Sequence, residues 1–416
     1  MSELNIVQPK VAIIGGGPAG LSAAAKLAPA ISGEVVVYDR EKNAGGIPRH
    51  ANHPGYGIRD RKRFMNGPSY AKALVRDALD AGVKLQTQTM ITGWQDDETL
   101  LATSPKGRFG IRPEVFVFAT GARERPRPAR LIPGDRSSGI YTTGQLQNLV
   151  HLHHEKVGTR AVIVGAELVS WSAVMTLREA GCKTEALISE FAKGESYATF
   201  RLGGKVAFQT QVVTRSKVVA IHGRPRVSGV EIENLDTGER STIACDTVVF
   251  TGDWIPDNEL LRMRGVELDP NSLSPKTDQS MHTSVPGVFT VGNLNHPVET
   301  ADVVALEGQY VARRVLEYLA GMQHRLDDVP LVAGEGLQWL APSSFAPGGP
   351  SPARDRLVAW TTKFSTIPTV TVKQAGRVIA KKRLSWPAAP GRVFRIPSGM
   401  LDAVNVNDGE VTVSLS

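Results

Sequence analysis

The feature that most constrains the fold is a glycine-rich turn between an apolar strand and a helix near the start of the chain. The apolar strand Val11–Ile14 runs into the turn Gly15–Gly20, GGGPAG, which fits the pattern GxGxxG, and an alanine-rich helix follows. A second apolar strand, EVVVYD, ends at Asp39. This order of strand, turn, helix, strand and acid predicts a Rossmann-type dinucleotide-binding unit.

Each part of this unit has a physical role. Gly15 permits the tight turn, Gly17 lets the backbone approach a pyrophosphate, and Gly20 lets the helix pack closely on the strand. The N-terminus of the helix offers unpaired N–H groups and the positive end of its dipole to the phosphates. Asp39 is placed to accept a hydrogen bond from a ribose hydroxyl.

Three later motifs indicate which dinucleotide binds there. They are the loop REKNAGGIPRH after Asp39, the segment ATG at Ala119–Gly121, and TSVPGVFTVGN, which ends at Asn293. Their order is similar to that of flavoproteins with two dinucleotide-binding domains, in which they border FAD. Asn293 replaces the usual acid and can still hydrogen-bond the ribityl chain. A helix expected from about Val298 would point its positive end at the flavin.

A second Rossmann-like unit follows, but its turn departs from the pattern. The strand AVIVG leads into the helix ELVSWSAVMTLREAG, and the glycine positions hold Gly165, Glu167 and Ser170. Glu167 puts a charged side chain where backbone should touch a pyrophosphate. Glu190, after the next strand, would disfavour a 2′-phosphate. We therefore expect a degenerate NAD(P) site; the alternative is that Glu167 turns away and the pocket takes another ligand.

The composition excludes several other classes of protein. The two cysteines, Cys182 and Cys245, cannot form a CxxC pair, a four-cysteine cluster or a disulfide framework, and their contexts predict buried, inert thiols. No apolar run approaches the roughly 20 residues of a membrane span. The segment MSELNIVQPK lacks the features of a signal peptide. These features predict a soluble, cytoplasmic protein without a membrane span.

The last part of the chain is basic and has the pattern of a sheet. From Leu331 onward there are ten Lys or Arg and five Asp or Glu, within a net charge of +7. The linker APSSFAPGGPSPARD precedes alternating segments such as TVTVKQAGRVIAKKRLSW, which predict strands. We expect a solvated sheet face, with an acidic partner as the alternative and no role for nucleic acid. A docking or dimer-forming module is expected; a stability cap is the other interpretation.

Taken together, the segments resemble one group of FAD proteins: the FAD subunits of hydrogen cyanide synthase, opine oxidases and hydroxyproline dehydrogenases. The resemblance rests on GGIPRHANHPGYGIRDRKRFMNGPSYAKALV, ATGARERPRPARLIPGDRSSGIYTTGQLQNLV, VGAELVSWSAV and VGNLNHPVETADVVALEG, and covers about residues 8–325. It implies a subunit that binds FAD and relays electrons in a heteromeric complex, where a second flavoprotein subunit oxidises an amine or amino acid.

This chain departs from that group in three ways. Ala51 replaces the cysteine that commonly follows Pro-Arg-His, the C-terminal cysteine cluster that binds [2Fe–2S] in several relatives is missing, and a mostly β module stands in its place. These differences affect the electron route that the resemblance implies. They leave the FAD motifs unchanged.

Few residues are candidates for chemistry at a flavin. His296, His50 and Arg49 follow motifs that border the cofactor, and each has a structural hydrogen-bonding role as its alternative. HLHH at His151–His154 has metal-like spacing but lies near the end of an amphipathic helix, so no metal is expected. The complete set of expected FAD-binding residues is Gly15, Gly16, Gly17, Pro18, Ala19, Gly20, Asp39, Arg40, Gly46, Ile47, Arg49, Met90, Ala119, Thr120, Gly121, Gly292, Asn293, Thr300 and Ala301.

The sequence thus predicts an α/β protein with two Rossmann-like domains, a disulfide-reductase-like flavoprotein fold, and a small C-terminal β module. Residues 1–123 and 281–330 are expected to form the FAD-binding domain, 124–280 the NAD(P)-binding-like domain, and 331–416 the β module. The expected function is that of the FAD subunit of a heteromeric amine or amino-acid dehydrogenase or oxidase. The alternatives are a self-contained NAD(P)H-dependent reductase and a non-catalytic FAD-binding scaffold. A second flavoprotein subunit or a homo-oligomer is the expected partner.

Overall fold

The chain folds into two compact units in this computed structural model, which describes residues 4–198, 203–204, 207–322 and 328–416. The first unit combines residues 1–49, 54–122 and 256–416, and the second combines 50–53 with 123–255. The GGGPAG turn therefore lies in the first unit, and the turn that holds Glu167 lies in the second.

A five-stranded parallel sheet forms the centre of the first unit. The strands VAII, VVVY and VFVF are buried along their whole length, as expected when helices cover both faces of a parallel sheet. The strand order across the sheet is Val288–Thr290, Val115–Phe118, Val11–Ile14, Val35–Tyr38 and Lys84–Gln86.

Three helices belong to this sheet: a first helix (Pro18–Leu27), a second (Gly67–Asp80) and a closing helix (Ala301–Leu319). Asn66 caps the second helix, because its side chain accepts a hydrogen bond of 2.9 Å from the backbone N–H of Ser69. The first and closing helices touch at Gly308, where a Cβ would come within 2.2 Å of the carbonyl oxygen of Ala19. A side chain at residue 308 would therefore push the two helices apart.

A second sheet of the first unit explains where the unit boundary falls. Its strand order is Ile6–Val7, Gly107–Ile111, Thr99–Ser104 and Met90–Asp96. The short helix Glu259–Met263 packs beside it, and the indole Nε1 of Trp94 donates a 2.8 Å hydrogen bond to the carbonyl of Leu260. Residues 256–280 consequently group with the first unit, whereas the sequence assigned them to the NAD(P)-like domain.

The second unit has its own five-stranded parallel sheet and a smaller antiparallel one. The parallel order is Ile140–Thr142, Thr247–Phe250, Arg160–Val164, Lys183–Ile188 and Gln211–Val213. The helices Thr143–Leu152 and Leu168–Glu179 pack on it, and the antiparallel strands are Ser216–His222, Gly229–Asn234 and Arg240–Ala244. This is the Rossmann-like pattern that the sequence predicts.

The C-terminal module is a pair of small sheets with one apolar core. One sheet has the order Ser344–Phe345, Val329–Ala333, Val411–Leu415, Thr369–Gln374 and Arg377–Arg383, and the other has Leu337–Ala341, Arg356–Thr361 and Val393–Pro397. Burial alternates along Thr369–Gln374, so Val370 and Val372 face the core. The basic run Lys381–Arg383 lies exposed on an edge strand, where charge discourages pairing with other chains.

The remaining elements are short. Strands Pro54–Tyr56 and Met65–Asn66 pair, and strands Ala122–Glu124 and Trp254–Pro256 lie where the chain passes between the units. The 3₁₀ helices are Ala28–Ala30, Ile47–His50, Arg127–Arg130, Gly292–Leu294, Ala353–Asp355, Ser398–Leu401 and Val406–Asp408. Within the described ranges, every helix is too short or too polar to cross a bilayer. The expected fold class is confirmed.

Candidate functional site: two dinucleotide turns

The first glycine turn is tightly packed around its outer glycines. Gly15 has a φ of 110°, and a Cβ on it would lie 2.4 Å from the carbonyl oxygen of Ala119. A Cβ on Gly20 would lie 2.1 Å from the carbonyl oxygen of Gly15. Both glycines are therefore required by the protein's own packing, as the motif predicts.

Gly17 differs, because nothing lies within 4 Å of the position of its Cβ. It is the N-cap of the first helix and supplies no side chain to the free N–H groups there, and Pro18 occupies the first turn. The open space beside Gly17 and the free N–H groups at the start of the first helix lie at the same place. The residues present therefore fit a dinucleotide whose pyrophosphate lies against Gly17.

Asp39 is held in place by backbone donors. Its Oδ2 accepts a hydrogen bond from the N–H of Gly16 and its Oδ1 accepts one from the N–H of Glu41, both at 2.8 Å. Burial raises the pKa of Asp39 above its usual value, and these two hydrogen bonds oppose that shift. Each oxygen keeps a lone pair with which it can accept a ribose hydroxyl.

Two other expected segments lie against the same turn. Gly46 has a φ of 63°, and its Cβ would come 2.9 Å from the Cα of Gly17. Gly292 has a φ of 78°, and its Cβ would come 3.0 Å from the Cβ of Ala19. Motifs that are far apart in the sequence thus meet at the carboxyl edge of the parallel sheet, where open α/β sheets bind ligands.

The segment from Asn293 to Thr300 forms a closed loop before the closing helix. Asn293 accepts a 2.8 Å hydrogen bond from the N–H of Glu299 through Oδ1 and donates a 3.3 Å bond to its carbonyl through Nδ2. The helix consequently begins at Ala301, three residues later than the start near Val298 that the sequence suggested. Asn293 retains one N–H and one lone pair for a ligand.

His296 lies inside the protein rather than at the surface of the loop. The residue is 4% exposed, and its Nε2 lies 3.1 Å from Oε1 of Glu307 on the closing helix. Burial alone would lower the pKa of His296, but Glu307 and then Glu299 raise it above its usual value. His296 and Glu307 therefore form a buried, charge-compensated pair.

The other candidates are distributed between the units. Arg49 lies in the first unit with Nη2 3.3 Å from Oε2 of Glu41, whereas the buried His50 belongs to the second unit. Arg40 is exposed, and Ile47 and Met90 are 55% and 53% exposed. Catalytic roles for Arg49, His50 and His296, each with a structural role as its alternative, stay predictions.

The second glycine turn, in the second unit, keeps its shape. Gly165 has a φ of 124°, and its Cβ would lie 2.2 Å from Oγ1 of Thr251. The hydroxyls of Ser170 and Thr251 lie 2.7 Å apart in the core. Ser170 thus supports the contact between helix and strand that a third glycine would otherwise permit.

Glu167 fills the crevice beside this turn. It is 6% exposed, and a Cβ on Gly252 would come within 2.3 Å of its Oε2. Gly252 follows the strand Thr247–Phe250, which is the parallel neighbour of Arg160–Val164, so the carboxyl group lies between the ends of adjacent strands. Burial raises the pKa of Glu167 to about 8. At neutral pH this carboxyl is therefore mostly protonated, and its side chain occupies the space beside the turn.

Polar residues that the sequence motifs did not reveal surround this crevice. Burial raises the pKa of Glu195 to about 7, and its Oε2 accepts a 2.9 Å hydrogen bond from Ser189. Arg130 donates to the carbonyls of Thr251 and Gly252, both at 2.8 Å. The contacts of Arg130 link parts of the chain more than 100 residues apart, and no local pattern signals them.

The two cysteine thiols and the imidazole of His151 lie in environments typical of structural side chains. Burial raises the pKa of Cys182 to about 12 and that of Cys245 to about 11, so both stay protonated. His151 lies 3.3 Å from the hydroxyl of Thr176 and 3.5 Å from Glu179. Among the residues that the structure describes, no group of three or more His, Cys, Asp or Glu is arranged to hold a metal ion.

Comparison with known proteins gives both sequence relatives and a structural relative. Bilirubin reductase from Mediterraneibacter gnavus (strain CC55_001C) is 29% identical over 268 residues, 62% of this chain and 36% of that protein. The A component of opine oxidase from Agrobacterium tumefaciens (strain Ach5) is 26% identical over 315 residues, 68% of this chain and 60% of that protein. The chain thus spans about a third to three fifths of the length of these curated relatives.

One structural relative is thioredoxin reductase from T. acidophilum. It superposes with a TM-score of 0.63 at 19% identity, over 76% of this chain and 99% of that one, and so shows the fold. The profile of the family described as pyridine nucleotide-disulphide oxidoreductase matches residues 9–308, which include both glycine turns. The chain therefore belongs to the pyridine nucleotide-disulphide oxidoreductase family.

Proposed function

We propose that this protein is the FAD-binding subunit of a heteromeric dehydrogenase or oxidase that acts on an amine or amino acid. In this proposal, FAD occupies the first glycine turn and passes electrons between an acceptor and a partner subunit. The second dinucleotide unit does not bind NAD(P)H in the ordinary way. The partner is a second flavoprotein subunit, with a homo-oligomer as the other possible assembly.

The observation that carries the proposal is the position of Glu167. Its buried carboxyl group takes up the crevice between Gly165 and Gly252, where a dinucleotide would have to approach the backbone. A dinucleotide could enter only if the side chain moved out of this crevice. That requirement favours an electron source other than NAD(P)H.

Two further observations support it. The only cysteines are buried and protonated, so a dithiol of the kind needed to reduce a disulfide partner is missing from the sequence. The Agrobacterium relative is, by its name, one subunit of an opine oxidase, and its match covers 68% of this chain. Both favour a subunit that works with another chain.

The chain's own residues have defined roles in this proposal. FAD supplies the two-electron chemistry when it is bound. Gly17 and the N-terminus of the first helix hold its phosphates, and Asp39 holds a ribose hydroxyl. Asn293 retains hydrogen-bonding capacity toward the cofactor, while the His296–Glu307 pair supports the start of the closing helix from inside.

A self-contained NAD(P)H-dependent reductase is the second candidate. It is favoured by the intact Gly165 turn and by the raised pKa of Glu167, which leaves that carboxyl mostly neutral at neutral pH. Because a neutral carboxyl does not repel the phosphates of a dinucleotide, a dinucleotide could displace it. This candidate requires reduction of the flavin by NADH or NADPH without any other chain.

The test is to purify the tagged protein from its own host and assay any complex that it forms. Amines and amino acids would be supplied with an artificial dye as acceptor. The proposal expects substrate-dependent dye reduction by the complex, and none by the isolated FAD-loaded chain. Steady dye reduction by the isolated chain with NADH or NADPH would contradict it and establish the second candidate.

A further inference from the structure

The C-terminal module contacts the loop before the closing helix through one ion pair, between Arg395 and the buried Glu299. Arg395, on the strand Val393–Pro397, donates from Nε to Oε1 of Glu299 at 2.7 Å and from Nη2 to Oε2 at 2.6 Å. The side chain of Glu299 is only 2% exposed, whereas that of Arg395 is 27% exposed. A planar guanidinium that binds both oxygens of one carboxylate fixes its orientation as well as its charge.

Glu299 makes the hydrogen bonds that hold the conformation of the loop before the closing helix. Its backbone is clamped on both sides by the side chain of Asn293. Its Oε2 also accepts a 3.2 Å hydrogen bond from the N–H of Thr300, the N-cap of the closing helix. Arg395 therefore acts on the loop through Glu299, without contributing a contact to the turn itself.

This loop lies at the ligand edge of the sheet. It follows the strand Val288–Thr290, which is parallel to Val115–Phe118, and it starts at Gly292, which packs on Ala19 of the GGGPAG turn. The carboxyl ends of neighbouring parallel strands share one edge, so the loop and the turn border the same crevice. A charge on Glu299 would therefore act electrostatically on a cofactor bound in this crevice.

We propose that Arg395 is a positioning residue of the FAD site, through which the C-terminal module fixes the loop of residues 293–300 and neutralises its buried carboxylate. This gives the module a function in the redox site besides docking or stabilisation. Without Arg395, a buried negative charge would stand in the loop that borders the cofactor crevice. That charge disfavours the more electron-rich reduced cofactor and raises the cost of holding the loop closed.

The module has other attachments that do not use this pair. The side-chain amide of Gln279 donates to the carbonyl of Ala346 at 2.9 Å and accepts from its N–H at 3.0 Å. The hydroxyl of Tyr310 donates to the carbonyl of Ser351 at 2.7 Å. Because these contacts remain, replacing Arg395 tests the ion pair rather than the attachment of the whole module.

The inference rests on FAD binding at the first turn and does not depend on the source of the electrons. The variants are R395Q, R395K, E299Q and the double variant E299Q/R395Q, with R377Q on the exposed edge strand of the same module as control. The readouts are the affinity for oxidised FAD, the midpoint potential of bound FAD, and the thermal stability without FAD. None of these readouts involves turnover.

We expect R395Q to weaken FAD binding at least tenfold and to move the midpoint potential to more negative values. R395K should lie between R395Q and the wild type, because it keeps the charge but loses the two-point geometry. The double variant E299Q/R395Q should have a midpoint potential close to that of the wild type. It leaves no unpaired charge at residues 299 and 395, and both side chains stay polar. If R395Q itself fails to fold, the comparison of the double variant with E299Q and R395K supplies the same test.

Three results would overturn the inference. One is a wild-type potential and FAD affinity in R395Q. Another is an equal loss in R395Q and E299Q/R395Q, which would mean that packing and not charge is responsible. The last is an equal loss in R377Q. A failure of the amine-oxidation proposal would leave all of these readouts unchanged, so the two failures are distinguishable.

Discussion

The carboxyl group of Glu167 lies so close to Gly252 that a Cβ on the glycine would come within 2.3 Å of Oε2. In a functional dinucleotide site, backbone alone surrounds this position. The second Rossmann-like unit therefore keeps its sheet and its turn while its own side chain fills the crevice. The pair is also buried away from water, which makes the protonation of Glu167 a property that folding controls.

Gly17 gives a separable test of FAD binding. Gly17→Ala introduces a methyl group into open space at a φ of −83°, so the protein without cofactor should keep its stability. The same methyl group would lie between the backbone and the pyrophosphate, and FAD affinity should fall at least about tenfold, or ~1.4 kcal/mol. Titration calorimetry of the cofactor-free protein and a thermal melt measure the two effects.

Gly399→Ala is the matched control, because its Cβ would meet only ordinary contacts with Asp402 at 3.5 Å or more. It should change neither quantity. Gly15→Ala should instead disturb the fold itself, since its Cβ would lie 2.4 Å from a backbone oxygen. Unchanged FAD affinity in Gly17→Ala would contradict the assignment of the pyrophosphate to this turn.

The local features of the fold could be predicted from the sequence. The GGGPAG turn, the acid at Asp39 and the alternation in TVTVKQ are set by neighbouring residues, and the structure contains the expected turn and strands. The structure places Glu167 at the second turn, as the glycine pattern predicts, while the degeneracy of that site stays a prediction. In such segments, backbone sterics and the period of the apolar residues decide the structure.

The features that could not be predicted depend on contacts between residues that are far apart in the sequence. Arg395 and Glu299 are 96 residues apart, and neither has a neighbour that points to the other. The second unit ends before Pro256 because Leu260 bonds to Trp94 on another sheet. Gly308 was missed as well; a glycine on the buried face of an amphipathic helix was the signal that could have revealed it.

The protonation of Glu167 predicts a pH dependence of stability. Its pKa rises from about 4.5 to about 8 on folding, so the folded state holds more protons between these values. The free energy of unfolding should therefore decrease as pH rises through this window, by about 1.4 kcal/mol for each unit of pH in which only the folded state is protonated. Urea unfolding across that range measures the slope.

Glu167→Gln supplies the comparison for this slope. The amide has the shape of the neutral carboxyl and does not titrate, so stability should vary less with pH, and Glu195 should account for part of the remaining slope. The variant and the wild type should be similar below about pH 4.5, diverge as pH rises from there to about 8, and run parallel above that value. Parallel profiles for the two proteins between these two values would show that Glu167 is ionised in the folded state.

The buried His296–Glu307 pair should behave as a coupled unit. Glu307→Gln leaves an imidazolium without its counter-charge and should destabilise the protein by ~3 kcal/mol near neutral pH. The loss of Glu307 should also lower the pKa of His296. The double variant H296Q/E307Q should be more stable than either single variant, and a double-mutant cycle by urea unfolding measures the coupling; additive effects would exclude a charged pair.

The cysteines should play no part in electron transfer. Because their pKa values are raised to about 12 and about 11, neither thiol forms an appreciable thiolate at neutral pH. A thiol reagent should modify them only after unfolding, and the double variant C182A/C245A should keep the same flavin potential. Rapid modification of the folded protein would show a reactive thiolate, and a loss of flavin reduction in the double variant would show a redox role.

The prediction that the second dinucleotide site is degenerate is tested most directly by an anaerobic absorbance titration of the FAD-loaded protein with NADH and then with NADPH. Glu167→Gly is measured alongside, because it restores the glycine that the motif requires. We predict that wild-type flavin stays oxidised with either nucleotide and is fully reduced by dithionite, while the variant gains nucleotide binding. Rapid bleaching of the wild-type flavin by either nucleotide would contradict this prediction and show that the second site is an active NAD(P)H site.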